Sequence, residues 1–258
     1  MPHWAIYSVS GLLVGMLVGL TGVGGGSLMT PILVLVFGFH PSTAVGTDLF
    51  YAAATKTVGA TVHAWRRSID WLILGRLAAG SVPAALTCLI ILSRLGVGSD
   101  AASHLIKTVL GVALLLTALS LAFRMRIIAW ARTHSLHVAP GRIHALTIIV
   151  GAVLGAAVAL SSVGAGAIGA TALIILYPDM PLRRLVGTDI IHAIPLTLIG
   201  GVGHLFLGTV NLPLLGYLLI GSIPGIIIGS LAISRIRESW LRYLIAAMLC
   251  FAGAALLK

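Results

Sequence analysis

Three charged side chains stand where the surrounding sequence is otherwise apolar. Asp48 and Asp189 each follow the tripeptide Val-Gly-Thr, and Lys56 lies eight residues after the first of them. An ammonium removed from water needs an anion, and the choices are Asp48, Asp189 or a bound ligand. A carboxylate one to two turns into an apolar helix has two readings. Either it caps the helix, as Thr47 and Thr188 also could, or it faces a wet cavity and exchanges protons. His192 stands three residues after Asp189 on the same helical face, and a histidine beside a carboxylate can relay protons. His63 and His204 read more simply as satisfied polar contacts near a membrane interface. No nucleophile and base fall into a catalytic arrangement, and no spacing suits a metal. Cys88 and Cys250 stand alone in apolar runs, as inert packing residues do. The expectation is therefore a protein that is not an enzyme, with no cofactor and no metal.

The second chemical feature is backbone. Gly24-Gly25-Gly26-Ser27 and Gly164-Ala165-Gly166-Ala167 each precede a short apolar piece. A helix starting after such a run presents unpaired N–H groups and the positive end of its dipole, which attracts anions. The competing reading is close helix packing, and it fits Gly11, Gly15, Gly19, Gly151 and Gly155, which recur every four residues. Consecutive glycines between short apolar pieces serve no such seam, so the two loops are read as binding elements.

These features come in pairs because the chain is written twice. Gly11, Gly15, Leu20, Val23, Gly24, Gly26 and Pro41 recur 140 residues later. From Val45-Gly46-Thr47-Asp48 onward the offset is 141, and it carries Gly59, His63, Gly75, Gly80, Ser81 and Pro83 onto Gly200, His204, Gly216, Gly221, Ser222 and Pro224. Lys56 breaks the pattern, since its counterpart is Thr197. Two such halves in an apolar chain are the mark of a transporter built from repeats, with its site where the halves meet. The halves are residues 1–123 and 143–258, joined by a cytoplasmic linker, 124–142. That linker, with Arg124, Arg126, Trp130 and Arg132, reads either as an interfacial helix on anionic lipid or as a solvated loop.

A mean hydropathy of +1.12, with 59% hydrophobic and 9% charged residues, leaves too little polar surface for a soluble domain. The formal charge of +10 sits between apolar spans, where insertion topology rather than nucleic acid accounts for it. Spans are expected at 43–64, 71–92, 103–123, 184–207, 212–233 and 240–257. The N-terminal residues show no basic leader or A-x-A-like site, so no cleaved signal is expected. Each half opens on two apolar pieces separated by glycines, and the second, at about 20 Å, is too short to cross alone. A hairpin returning to its starting side gives each half an odd number of crossings and inverts the second half. That arrangement puts eleven arginines on one side: Arg66, Arg67, Arg124, Arg126, Arg132, Arg142, Arg183, Arg184, Arg235, Arg237 and Arg242. Arg94 and Lys258 are then on the other. A single crossing splits the charges seven against six. The positive-inside rule therefore favours an all-α integral membrane protein of two inverted repeats, each a broken hairpin followed by three transmembrane helices. It is expected in a bacterial-type cytoplasmic membrane with both termini extracytoplasmic.

The run GLLVGMLVGLTGVGGGSLMTPIL, followed by AVGTDL, a histidine late in the next span and GSVP, resembles the TauE/SafE family of sulfite-exporter-like transporters. GAVLGAAVALSSVGAGAIG with VGTDI, His204 and GSIP resembles that family's second half. The resemblance implies secondary transport of small sulfur oxyanions or organosulfonates, with the glycine loops and adjoining threonines as anion ligands. The expected substrate site is Gly24, Gly25, Gly26, Ser27, Thr47, Lys56, Gly164, Ala165, Gly166 and Thr188. Asp48, Asp189 and His192 are the candidates for proton coupling, and a passive anion channel is the alternative. The aspartates depart from the family, which more often has Ser after the GT motif. The expected partners are a small oxyanion, protons and membrane lipid.

Overall fold

A computed structural model describes residues 3–21, 26–64, 69–133, 140–232 and 238–258, and these are helical throughout, with short connections and no strand. The first half supplies α1 (His3–Thr21), α2 (Gly26–Leu35), α3 (Pro41–Ala64), α4 (Trp71–Leu95) and α5 (Asp100–Ala122). After α6 (Arg124–Thr133), the second half repeats the order as α7 (Pro140–Ser161), α8 (Ala167–Leu176), α9 (Leu182–Phe206), α10 (Leu212–Ala232) and α11 (Glu238–Leu256). Helix starts follow local chemistry. Asp70 accepts from the N–H groups of Leu72 and Ile73 at 3.1 Å, Ser99 from Ala102 at 3.1 Å, and Asn211 from Leu214 at 3.0 Å.

A long helix and a ten-residue one open each half and double back. Thr147 near the start of α7 hydrogen-bonds the Tyr177 hydroxyl just after α8, at 2.7 Å, and Gly169 of α8 lies against Leu154 of α7. A chain continuing in one direction would separate residues 154 and 169 by about 20 Å. The repeat counterparts of Thr147 and Tyr177 are Tyr7 and Phe37, whose rings also meet, 5.0 Å apart and edge to face. Both openings are thus hairpins, as the short apolar pieces predict.

Five described helices are long and apolar enough to cross a membrane: Trp71–Leu95, Asp100–Ala122, Arg142–Ser161, Leu182–Phe206 and Leu212–Leu231. The expected span at 43–64 is one continuous helix, α3, yet it is not in that set. It carries Asp48 and Lys56 and is enclosed by protein along its first half, where Ala44, Val45, Leu49, Tyr51 and Ala52 are fully buried. A helix shielded from lipid need not be apolar all round. Residues 240–256 are helical and apolar but shorter.

The halves interlock by exchanging partners. α1 lies on α10, with Gly11, Gly15 and Gly19 against the backbone of Leu218, Ser222 and Ile226. α7 lies on α4 in the same way, with Gly151 and Gly155 against Leu77 and Ser81. Every one of those contacts is backbone on backbone, the close approach that small residues permit between membrane helices. The central helices α3 and α9 run antiparallel. Gly46, Leu49 and Phe50 of α3 meet His204, Gly200 and Gly201 of α9 respectively. At one end the Thr47 hydroxyl accepts from the Asn211 N–H (3.0 Å); at the other the Thr188 hydroxyl accepts from the Asp70 N–H (2.9 Å). The linker opens as the helix α6, whose Ala131 is buried in a cluster with Ile73, Leu77, Leu154 and Leu173, while Trp130 and Met125 stay exposed.

Candidate functional site

The central helices α3 and α9 bring the charged residues together. Asp48, Asp189, His192 and Lys56 are buried, at 0, 1, 1 and 6% exposure. Lys56 reaches from α3 into the second half, where its ammonium donates to the Ala165 carbonyl at 3.1 Å. It acts electrostatically on both carboxylates, on Asp189 more strongly than on Asp48. Neither lies within ion-pair distance of it; the ion pair among the described residues joins Arg184 to Asp70 at 2.9 Å, near the surface.

Ala165 belongs to the turn between α7 and α8. Gly164 and Gly166 adopt φ of 126° and 136°, and Ser162 adopts 59°, backbone conformations that explain glycine at 164 and 166. α8 then starts at Ala167 with Gly166 as its N-cap and no side-chain cap. Asp189 fills that place. Its carboxylate lies beside the Gly166 backbone and against Gly169, where a side chain would collide with it, and both its oxygens are buried without a hydrogen-bond partner among the described residues. A carboxylate at an uncapped helix N-terminus is where the dipole favours negative charge. One turn further along α9, His192 Nε2 hydrogen-bonds Ser81 of α4 at 2.8 Å.

Around Asp48 the surroundings differ. Thr30 of α2 donates to Asp48 Oδ2, and the Ser162 hydroxyl is beside it. Tyr51, one turn on, faces Ser222 of α10. Asp48 Oδ1, Tyr51 OH, Ser162 Oγ and Ser222 Oγ are buried without a hydrogen-bond partner among the described residues. Buried polar atoms are normally paired, and these four oxygens lie near enough to one another, Ser162 beside Asp48 and Ser222 beside Tyr51, to form one polar cluster inside the bundle. Reading the sequence missed Thr30, Tyr51, Ser81, Ser162 and Ser222. The repeat offset contains the signal for some of them: 141 residues relate Tyr51 to His192 and Ser81 to Ser222, so the pairs Tyr51/Ser222 and His192/Ser81 are counterparts.

Other expected residues fall elsewhere. Thr47 and Thr188 hold the ends of the antiparallel helices together, and Thr188 also donates to the Arg184 carbonyl at 2.8 Å. Ser27 is buried in the first turn of α2, which Gly26 opens. Gly24, Gly25 and the side chain of His63 lie outside the described residues. His204 is engaged on both ring nitrogens, by Thr209 (2.9 Å) and the Ala159 carbonyl (3.0 Å). Among the described residues no three potential ligands converge as a metal site would require.

A helical membrane bundle that buries two carboxylates, an ammonium and a histidine between its two halves belongs to the class of membrane transporters. A model of the family described as "Sulfite exporter TauE/SafE" matches residues 7–256, and the chain belongs to that family of transporters. It is 39% identical over 248 residues to "Probable membrane transporter protein YjnA" of Bacillus subtilis, covering 96% of this chain and 97% of that one. It is 28% identical to "Probable membrane transporter protein YdhB" of the same organism, over 84% and 85% of the two chains. To "Probable membrane transporter protein MJ0441" of Methanocaldococcus jannaschii it is 26% identical, over 96% and 93%. No solved structure matches.

Proposed function

We propose that this chain is a secondary transporter that carries small sulfur oxyanions, of the sulfite and organosulfonate class, across the cytoplasmic membrane by proton-coupled alternating access. The observation that carries this reading is Lys56. It is buried in one half of the chain, bonded to the glycine turn of the other, and lacks a directly paired carboxylate. An anion entering between Lys56 and the N-terminus of α8 gains a full charge and unpaired N–H groups together. Gly164, Ala165 and Gly166 line its path in the second half; Gly24, Gly25, Gly26 and Ser27 are the corresponding elements of the first. Thr47 and Thr188 act by fixing the ends of α3 and α9. Asp48, Asp189 and His192 supply the titratable groups for coupling.

Inverted repeats follow in the same reading, with units 1–123 and 143–258 about the linker 124–142. The antiparallel contact of the counterpart helices α3 and α9 supports it, as do the two returning hairpins. The arginine-rich side is then cytoplasmic and both termini extracytoplasmic. The test is thermal unfolding of the purified protein with sulfite, an alkanesulfonate, sulfate and chloride in turn. Stabilisation that saturates with sulfite or the sulfonate and is absent with chloride is expected. Equal responses to all four anions would contradict a sulfur-oxyanion site and favour an unselective channel.

A further inference from the structure

Resting on that reading, we infer that the two aspartates have different jobs: Asp48 carries the coupling proton, whereas Asp189 is the fixed counter-ion that the substrate displaces. The two are repeat counterparts, so their neighbours can be compared position by position. Asp48 has Thr30 and Tyr51 where Asp189 has Ala170 and His192, and Lys56 has Thr197 as its counterpart. Charge counting comes first. One ammonium and two carboxylates share the buried space, so if both carboxylates are ionised one negative charge is left over, and burying it alone is prohibitive.

Position decides which carboxylate keeps its charge. Asp189 has the stronger interaction with Lys56 and lies at the uncapped N-terminus of α8, beside the Gly166 backbone. Both features favour an anion there, whether carboxylate or substrate. Asp189 is thus a tethered occupant of the anion site, and an incoming oxyanion takes over Lys56 and the N-terminus. Asp48 also meets helix backbone, at Thr30 of α2, but its side-chain neighbours are hydroxyls: Thr30, Ser162 and, one turn along α3, Tyr51 with Ser222. Hydroxyls both donate and accept, so they can host the carboxylate and the carboxylic acid alike, which a group that gains and loses a proton each cycle requires. The charged and titratable groups that act on Asp48 are Lys56 and Tyr51, both on its own helix.

The experiment compares Asp48→Asn with Asp189→Asn in proteoliposomes, using sulfite and an alkanesulfonate as probes. Two readouts are taken: exchange of labelled for unlabelled substrate at equal pH on both sides, and accumulation driven by a pH gradient. Asp48→Asn is expected to retain exchange and lose gradient-driven accumulation. Asp189→Asn is expected to keep its response to the gradient while its half-saturating substrate concentration changes by tenfold or more. The reverse pattern, or the same defect in both variants, overturns the assignment. Thr30→Val keeps the shape of the side chain and covers the case in which Asp48→Asn does not fold. It is expected to displace the pH profile of flux with an unchanged KM, and an unmoved profile counts against Asp48. The wild-type protein separates this inference from its foundation. If it neither saturates nor responds to the gradient, the transporter reading itself fails.

Discussion

Replacing Lys56 by Met keeps an unbranched side chain one atom shorter and removes its charge. The loss is larger than the single hydrogen bond to the Ala165 carbonyl at 3.1 Å, because Asp48 and Asp189, both buried, lose the one ammonium that acts on them. Breaking a buried charge arrangement by removing one partner costs about 3 to 5 kcal/mol. For a chain of this size a loss of 1 kcal/mol lowers the unfolding temperature by about 2 to 4 °C, so the variant is expected to melt about 6 to 20 °C lower. Asp189→Asn alone leaves Lys56 with Asp48 and the carbonyl, and about 1 to 3 kcal/mol is expected. The combined variant removes one charge of each sign. If Lys56 and Asp189 act on each other, its loss falls short of the sum of the two single losses by about 0.5 to 3 kcal/mol. The assay is thermal unfolding of the four purified proteins in detergent without substrate. Additivity within about 0.5 kcal/mol would show that the two charges do not interact, and the electrostatic account of the site would fall.

Further predictions bear on the seams, the turn and the topology. Gly15→Val drives a side chain into the Ser222 backbone and is expected to cost at least about 1 to 3 kcal/mol, whereas Gly75→Val, with open space around it, is expected to cost under about 1 kcal/mol; thermal unfolding compares them. Gly166→Val forces a β-branched residue to φ of 136° and is expected to abolish stabilisation by sulfite in protein that still inserts; unchanged affinity would return the turn to a packing role. Asp70→Ala loses the cap of α4 as well as the ion pair with Arg184, and about 1 to 2 kcal/mol is expected. Arg184→Gln loses only a partly exposed ion pair and is expected to cost under about 1 kcal/mol. Cysteines placed at Thr43 and Arg184, in the first turns of the counterpart helices α3 and α9, are expected to be labelled from opposite sides of the membrane, and labelling from the same side would contradict inverted repeats.

Much of the architecture was legible because repetition and hydropathy are local signals. The glycines at 11, 15 and 19 announced a packing seam, and the short pieces beside the glycine loops announced hairpins. α3 could be read as a helix but not as an enclosed one, because it is held by residues as distant as Asn211, 164 positions from Thr47. A separation of 109 positions hid the bond from Lys56 to the Ala165 carbonyl. Lys56 was conspicuous as a charge in an apolar run, while its partner is a backbone atom, and side-chain type says nothing about which carbonyl faces inward. Thr47 and Thr188 illustrate the opposite limit. Their repeated motif drew attention to them, but the helix-end bonds to Asn211 and Asp70 depend on two helices crossing antiparallel. The hydroxyls of Thr30, Tyr51, Ser162 and Ser222 gave no signal singly, since such residues are common in membrane helices; only their convergence on Asp48 sets them apart.

The central claim is that a buried ammonium between the two halves holds an oxyanion whose movement is coupled to protons. The most direct measurement is flux of sulfite into proteoliposomes containing the wild-type protein or Lys56→Met, with and without an imposed pH gradient. The account predicts saturable wild-type flux that accumulates substrate against its concentration only when the gradient is present, and a half-saturating concentration at least tenfold higher in the variant, equivalent to about 1.4 kcal/mol or more. Wild-type flux that ignores the gradient, or a variant with unchanged half-saturation, would contradict it.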